Sequence, residues 1–515
     1  MDVQYHSTRS SLSSVSAKQA VVSGIAPDGG LFVSDALGAK SLDLTRISGQ
    51  DFHATAHDVL STLLADYTSE EIDECIQGAY GPQWDTPAIT PVTPLGNHWL
   101  LELFHGPTSA FKDIALQMLP RLFTKALAGR KRNVMIVTAT SGDTGKAALE
   151  GFKDIPGLGV SVFYPEGKVS DIQRLQMTTQ TGSNVAVCAV RGTFDNAQTE
   201  VKRIFADSEL AEHLRSANTA LSSANSINIG RLVPQITYYF DAYAQLVRRG
   251  AISLGDRVSF CVPTGNFGNV LAGYFAKTLG LPVDRLIVAS NANKVLTDFI
   301  QTGTYDRRRA FKKTMSPSMD IIVSSNLERL LYYASDKDTN LIAFLMRNLR
   351  EKGVYTVSAQ LLDRIRAIFD CGFATDAETA ATIRSTWEEE HVLIDPHTAV
   401  ARCVLERVAP HLSTRNKALV CLSTASPYKF SSDVLAALGR KPENLDDFAC
   451  MDALAEYTGT VPPITLSRLR DNAIIHTGVC DQNQMERFVL KDIQLTRLSY
   501  LELRRLWYLK AELSE

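Results

Sequence analysis

This sequence has few of the features that mark a membrane, secreted or nucleic-acid-binding protein. Its 515 residues contain no apolar run near the ~18 residues that a membrane-spanning helix needs. Residues 1–16 are polar and rich in serine, and they lack the apolar core of a secretory signal. A net charge of −3 provides no basic field for nucleic acid. We therefore predict a cytoplasmic protein without nucleic-acid or membrane partners.

Cysteine patterns that bind metals or form disulfides are also lacking. The eight cysteines are dispersed, with no Cys-x-x-Cys pair and no histidine at ligand spacing, which predicts reduced, mostly buried thiols and no metal site. What remains is an ordinary globular composition, 45% hydrophobic and 21% charged. The chain is long enough for two or three domains, because single cores stop growing near roughly 250–300 residues. No heptad run is evident, so the oligomeric state stays open.

Alternating strand and helix patterns predict the domain organisation. From about residue 96 onward this alternation predicts an α/β core around a largely parallel sheet. Residues 1–95 are predicted to form a small N-terminal domain that ends in a proline-rich connection at 81–94. Residues 96–440 are the α/β region, with two subdomains. Residues 441–515 are predicted to be a C-terminal helical extension that ends in a surface helix at 498–510.

Lys112 lies in a short polar loop between a predicted strand and a predicted helix. Pro107 cannot continue a strand ladder, and helical periodicity begins just after Lys112. A lysine beside a helix N-terminus and between apolar residues has a lowered pKa and a more nucleophilic amine. The position favours Schiff-base chemistry, and a solvated surface lysine is the alternative.

Three further strand ends carry groups suited to a ligand. Gly-Asn-Phe-Gly-Asn at 265–269 suits a phosphate at a helix N-terminus, although a plain turn and helix cap would also explain it. Residues 140–146 lack the spacing of a nucleotide-binding P-loop, so they suit a carboxylate, a small anion or a structural cap. The hydroxyl of Thr424 can face a ligand at the crevice of an open sheet. His105 and His397 are candidate acids or bases, but such histidines are more often structural.

These motifs together resemble a known family. The sequence is similar to threonine synthases of the longer microbial class, within the pyridoxal-phosphate (PLP) enzymes of fold type II, the tryptophan synthase β-like group. The matching motifs occur in the expected order at residues 5–9, 26–32, 105–108, 112–113, 141–145, 265–269, 316–320, 325–329 and 424. The resemblance implies an α/β fold of two open α/β domains with the cofactor between them and a small N-terminal cap.

The resemblance also implies roles for individual residues. Lys112 is expected to carry pyridoxal 5'-phosphate, and Thr424 to contact its pyridine nitrogen. The phosphate of the cofactor is expected to be held by Gly265, Asn266, Phe267, Gly268 and Asn269. The loop expected to meet the substrate consists of Ser141, Gly142, Asp143 and Thr144. The candidates for the substrate phosphate are Asn291, Asn293, Lys294, Ser318 and Arg329.

The implied reaction converts O-phospho-L-homoserine and water to L-threonine and phosphate, with Lys112 as the base for the α-proton and then a β-proton. A phospholyase that releases 2-oxobutyrate, ammonia and phosphate is the alternative among enzymes. A catalytically silent binding protein on the same fold is the alternative outside them. The chain has Ser426 and Tyr428 at positions where the family it resembles commonly has histidine and alanine.

Overall fold

The structure is a computed structural model that describes residues 4–129, 133–140, 142–216, 218–412, 416–440 and 444–493. Ser141 and the surface helix predicted at 498–510 lie outside these residues. In the described ranges no helix is both long enough and apolar enough to cross a lipid bilayer.

The N-terminal residues form a small sheet and a group of helices. In chain order these elements are β1 (Tyr5–Ser7), β2 (Ser10–Val15), α1 (Ala17–Ser23), β3 (Phe32–Ser34), α2 (Leu44–Ser48), α3 (Phe52–Leu63) and α4 (Ser69–Ala79). The sheet has the order β2-β1-β3, antiparallel throughout. Helix α4 starts at a capping box, in which Thr68 and Glu71 satisfy each other's backbone N–H groups.

The elements from residue 92 onward alternate as the sequence predicts. The first set is β4 (Val92–Leu95), β5 (His98–Glu102), α5 (Lys112–Leu127), β6 (Asn133–Ala139), α6 (Asp143–Phe152), β7 (Leu158–Pro165), α7 (Asp171–Thr178), β8 (Val185–Arg191), α8 (Phe194–Ala206), α9 (Ser208–Ser216) and β9 (Thr219–Ser222). The second set is α10 (Ile229–Leu232), α11 (Thr237–Arg248), β10 (Arg257–Pro263), α12 (Gly268–Thr278), β11 (Val283–Ser290), α13 (Val295–Thr302), β12 (Thr304–Asp306), α14 (Leu327–Ala334), α15 (Thr339–Lys352), β13 (Val354–Thr356), α16 (Ala359–Arg366), β14 (Phe369–Phe373), α17 (Asp376–Glu390), α18 (Pro396–Val408), β15 (Asn416–Ser423), α19 (Ser431–Ala437), α20 (Asp447–Thr458), α21 (Ile464–Ser467) and β16 (Gly478–Asp481).

These strands form two main sheets. The larger sheet has the order β14-β11-β10-β15-β5-β4 and is parallel except for β4. The smaller sheet has the order β16-β8-β7-β6-β9 and is parallel. Every residue of β7 is buried, as expected for a parallel strand covered on both faces. The fold is thus α/β, with two open sheets that end near each other.

Three local predictions differ from the structure. The prediction of a plain connection at 81–94 is wrong from Val92 onward, because β4 forms the antiparallel edge of the larger sheet, where Pro94 is tolerated. The helical run predicted at 229–247 is interrupted by a 3₁₀ turn at Val233–Ile236, which contains Pro234. The C-terminal segment contains β16, which joins the smaller sheet beside β8. That segment is therefore part of the α/β architecture.

Candidate active site

A pocket lies where the carboxyl ends of β5, β10 and β15 face the start of α6. Carboxyl ends of parallel strands are where open α/β sheets bind ligands. The pocket brings together most of the predicted site residues. They are Lys112, Thr144, Gly265, Asn266, Gly268, Asn269 and Thr424.

Backbone hydrogen bonds join the loop that carries Lys112 to the loop that carries Thr424. The N–H of Phe111 donates to the carbonyl oxygen of Thr424 at 2.9 Å, and the N–H of Ser426 donates to the carbonyl oxygen of Ser109 at 3.1 Å. These bonds flank an antiparallel bridge between the two loops. The relative position of Lys112 and Thr424 is therefore fixed by main chain.

The buried carboxylate of Asp113 stabilises the conformation of the loop that precedes Lys112. Its carboxylate accepts from the N–H of Thr108 at 2.8 Å and from the Thr108 hydroxyl at 2.7 Å. Burial raises the pKa of Asp113 to about 6, although these hydrogen bonds oppose the shift. A Cβ at Gly106 would lie 2.6 Å from the Cβ of Asp113, so this approach requires glycine.

The amine of Lys112 is buried among polar groups. Its Nζ lies 3.3 Å from Asp143 Oδ2 and donates to Ser318 Oγ at 3.3 Å. Burial lowers the pKa of Lys112, while the negative charge of Asp143 opposes that effect. The lowered pKa predicted from the sequence is confirmed in direction, and the solvated surface lysine is ruled out because the residue is 9% exposed.

The glycine-containing turn at 265–269 leads into α12. A Cβ at Gly265 would lie 2.7 Å from the carbonyl oxygen of Ser318, so only glycine fits. Phe267 has a positive φ of 63°, and its ring packs in the core against Phe369, so its backbone alone belongs to the turn. The first N–H groups of a helix have no partner within the helix, and here they begin at Gly268, beside the pocket. This turn fits a phosphate group.

The loop before α6 is shaped by Thr140. Its hydroxyl oxygen accepts from the N–H groups of Gly142 and Gly145 at 3.0 and 3.1 Å. Gly142 has a φ of 151°, and a Cβ there would lie 2.4 Å from Gln173 Nε2. Thr144 lines the pocket and Asp143 reaches Lys112, whereas Ser141 lies outside the described residues.

Arg231 is a site residue that sequence reasoning missed. It lines the pocket, is 3% exposed, and donates from Nη1 to the carbonyl oxygen of Ala224 at 2.7 Å. Its Nε is buried without an acceptor, and no carboxylate pairs with it in the described part of the chain. Burial lowers the pKa of Arg231 to about 10. The available signal was an arginine within the otherwise apolar run 229–233.

Of the five predicted ligands for a substrate phosphate, only Ser318 lines the pocket. Asn291 and Asn293 donate to Asp320 at 2.7 and 3.0 Å and so organise a neighbouring loop. Lys294 pairs with Asp298. Arg329 donates to the carbonyl oxygens of Phe32 and Ile227 and to Asn326, which ties the N-terminal region to the pocket loops.

The two candidate histidines differ in position. His397 lines the pocket, its Nδ1 donates to Asp395 at 2.7 Å, and its Nε2 accepts from the N–H of Ser318 at 3.1 Å. His105 lies between Asp85 and Glu102, at 2.6 and 2.8 Å. Burial alone would lower the pKa of His105, but these two carboxylates raise it to about 9. His105 is therefore a charged partner in ion pairs.

Ser426 and Tyr428, which are expected from the sequence to differ from the family pattern, have local partners. Ser426 accepts from the N–H of Tyr428 and caps the short turn at Pro427–Phe430. The hydroxyl of Tyr428 donates to the carbonyl oxygen of Thr460 at 3.0 Å. The same turn thus contacts the C-terminal segment. Within the described residues, no group of three or more His, Cys, Asp or Glu side chains is arranged to hold a metal ion.

A buried lysine amine of lowered pKa and a glycine turn that fits a phosphate, on facing loops of one pocket, match what pyridoxal phosphate requires. The fold and the site therefore define a pyridoxal-phosphate-dependent enzyme, and the family described as "Pyridoxal-phosphate dependent enzyme" matches residues 84–424. Residues 4–80 match "Threonine synthase N terminus", and residues 398–470 match "Threonine synthase, C-terminal". The chain belongs to the threonine synthase family.

Individual relatives agree with this family. "Threonine synthase-like 1" of Homo sapiens is 39% identical over 504 residues, which cover 93% of this chain and 66% of that protein. The chain therefore spans slightly less than two thirds of that relative. Threonine synthase of Pseudomonas aeruginosa is 38% identical over 444 residues, 85% of this chain and 92% of that protein. The crystal structure of PLP-bound threonine synthase from Brucella melitensis is 35% identical, with a TM-score of 0.84, and covers 95% of this chain and 99% of its own.

Proposed function

We propose that the chain is a threonine synthase, which converts O-phospho-L-homoserine and water to L-threonine and phosphate. The observation that carries the proposal is Arg231, a buried cation that lines the same pocket as Lys112 and has no carboxylate partner among the described residues. Because the turn at 265–269 supplies a separate phosphate site, Arg231 is free to bind a second anion. A phosphorylated substrate provides one.

We propose roles for the other pocket residues on the same basis. When bound, pyridoxal phosphate supplies an electron sink that acidifies the protons on the substrate. Lys112 attaches the cofactor, and its unprotonated amine takes the proton from Cα and then from Cβ. Thr424 would contact the pyridine nitrogen of the bound cofactor. The cofactor phosphate would be held by Gly265, Asn266, Gly268, Asn269 and the backbone of Phe267. The substrate carboxylate binds to the loop of Ser141, Gly142, Asp143 and Thr144.

The division at residues 1–95, 96–440 and 441–515 also remains our proposal. It is supported by the separate N-terminal sheet and by the family matches at 4–80, 84–424 and 398–470. We propose a cytoplasmic location as well. Its support is that the eight cysteines are free thiols, seven of them buried, as is typical of a reducing compartment.

The test is to incubate the purified protein and pyridoxal phosphate with O-phospho-L-homoserine and to measure L-threonine, 2-oxobutyrate and phosphate. We expect threonine and phosphate in equal amounts. Predominant 2-oxobutyrate would instead establish the phospholyase, and no turnover together with no cofactor absorbance would establish a binding protein. L-Homoserine is the control substrate, because it lacks both the phosphate leaving group and the anion that Arg231 is proposed to bind, and we expect it to give no threonine. Equal turnover of homoserine would contradict the proposed reaction.

A further inference from the structure

Lys429 is a fully buried lysine next to the candidate site that no proposed step has used. It lies in the turn at Pro427–Phe430, five residues after Thr424, and its side chain is 0% exposed. Its Nζ donates to the carbonyl oxygen of Thr108 at 3.0 Å and lies 2.6 Å from Asp143 Oδ1. Burying an ammonium group is strongly unfavourable unless the charge is paired. Asp143 supplies that pairing.

Asp143 is shared between two buried lysines. Its Oδ1 faces Lys429, whereas its Oδ2 lies 3.3 Å from Lys112 Nζ and accepts from Ser318 Oγ at 3.1 Å. Burial alone would raise the pKa of Asp143, but the positive charges of Lys429 and Lys112 hold it well below its usual range. The single negative charge of Asp143 is therefore shared between two lysine amines, so it stabilises the protonated form of each only in part.

Other charged and polar groups also face this cluster. His397 faces the cluster through Ser318: its Nε2 accepts from the N–H of Ser318, and the hydroxyl of Ser318 donates to Asp143. Arg231 faces Lys112 and, like Lys429, acts to lower the pKa of its amine. Gln173 Nε2 approaches Asp143 Oδ1 at 3.4 Å and carries no charge. Among these groups Asp143 alone favours the protonated form of Lys112, and Lys429 neutralises much of its effect.

We propose that Lys429 is a positioning residue for the proposed reaction: it holds one oxygen of Asp143, and so keeps the Lys112 amine unprotonated and able to attack the aldehyde carbon of pyridoxal phosphate. Attachment forms a C=N bond between Lys112 Nζ and that carbon and releases one water, without oxidation or reduction. Lys429 also bonds to Thr108, so it links the lysine loop, the Thr424 turn and the start of α6 at one point. The inference rests on the proposed function only for the later proton transfers.

Replacing Lys429 by methionine leaves Asp143 with Lys112 as its one lysine partner within the described ranges. Two effects then raise the pKa of the Lys112 amine: a nearby positive charge is lost, and the Asp143 carboxylate no longer pairs with Lys429. A charge within about 4–6 Å of an ionisable group changes the pKa of that group by about 1–3 units. We expect the pKa of the Lys112 amine to rise by about one unit or more in Lys429→Met.

The experiment measures the pH dependence of cofactor attachment to the apoprotein. The rate of appearance of the lysine-bound cofactor absorbance is followed with pyridoxal phosphate from about pH 6 to pH 10, where only the unprotonated amine reacts. We expect the midpoint for Lys429→Met to lie about one pH unit above wild type. The matched control is Lys146→Met. Lys146 lies on α6 and is mostly buried, like Lys429, but its Nζ pairs with Glu150 at 3.1 Å and not with Asp143. Its midpoint should match wild type.

A second variant covers the case in which Lys429→Met does not fold. Lys429→Gln keeps a donor for the Thr108 carbonyl but removes the charge, and we expect the same rise in midpoint. Lys429→Arg restores the charge and should return the midpoint towards wild type. An unchanged midpoint in the folded neutral variant overturns the inference, even if stability falls, because a purely structural role would change stability and not the midpoint. Absence of threonine from the wild-type reaction would overturn the proposed function separately.

Discussion

Replacing Arg231 with methionine should make the protein more stable and less able to use a phosphorylated substrate. The wild-type Nε is buried and finds no acceptor in the described part of the chain, which costs about 1–3 kcal/mol, whereas the lost hydrogen bond to Ala224 contributes about 1 kcal/mol. The net result is a gain in the free energy of unfolding of up to about 2 kcal/mol. Such opposition between stability and activity is expected where a site is built for a missing ligand.

The effect on activity has the opposite sign. Removing one partner of a buried charge pair costs about 2–5 kcal/mol, so kcat/KM for O-phospho-L-homoserine should fall roughly 30- to 4,000-fold. Affinity for pyridoxal phosphate should change little, because the cofactor phosphate is proposed to bind at 265–269. Urea denaturation of the apoprotein, a cofactor titration by absorbance and steady-state kinetics measure the three quantities.

Arg329→Met is the matched control for removal of a buried guanidinium. Arg329 donates to Phe32, Asn326 and Ile227, so its loss should destabilise the protein by at least about 1.5–3 kcal/mol, the contribution of one hydrogen bond from a charged donor. The reasoning on Arg231 is refuted if Arg231→Met is destabilised like Arg329→Met. It is also refuted if the variant loses cofactor affinity to the same extent as kcat/KM, since Arg231 would then bind the cofactor phosphate.

Two further predictions concern the phosphate turn and a buried carboxyl group. Gly265→Ala should weaken pyridoxal phosphate binding at least about tenfold, because its Cβ would lie 2.7 Å from the Ser318 carbonyl oxygen, whereas Gly49→Ala, with its nearest atom at 3.7 Å, should bind normally in the same titration. Burial raises the pKa of Asp241 to about 6, against the hydrogen bonds from Thr90 and Gln245. Because the pKa of this carboxyl is higher in the folded protein than in the unfolded chain, the protonated group stabilises the fold at pH values below the pKa of the unfolded chain. This stabilisation is lost as the pH rises from there through about 6. Asp241→Asn should therefore gain on the order of 1 kcal/mol relative to wild type between pH 5 and pH 8 in urea denaturation, and an unchanged difference would contradict this.

The residues that could be predicted from the sequence share one property. Lys112, the turn at 265–269 and Thr424 each lie at a strand end or at a strand-to-helix junction, where a few consecutive residues set the local geometry. Alternation of buried strands and helices is likewise a local pattern, so the α/β class could be predicted too. The glycines are specific because a close backbone approach admits no side chain.

The rest depends on contacts between distant parts of the chain. Arg231 is informative only because tertiary packing buries it away from every carboxylate of the described ranges, which its neighbours in sequence do not reveal. The pairing of Lys429 with Asp143 joins the turn after β15 to the start of α6. The pairing of β16 with β8 brings a four-residue strand from the C-terminal segment to the smaller sheet. Such a short strand forms because the edge of the sheet that it joins supplies its backbone hydrogen bonds, not because of its own sequence.

The central claim is that Lys112 is the residue that binds the cofactor covalently. The most direct measurement is borohydride reduction of the protein with pyridoxal phosphate, followed by mass spectrometry of its peptides. The account predicts a pyridoxyl group on Lys112, and its absence after Lys112→Ala. Labelling of Lys429 in place of Lys112, or no site-specific labelling in the folded wild-type protein, would contradict the account.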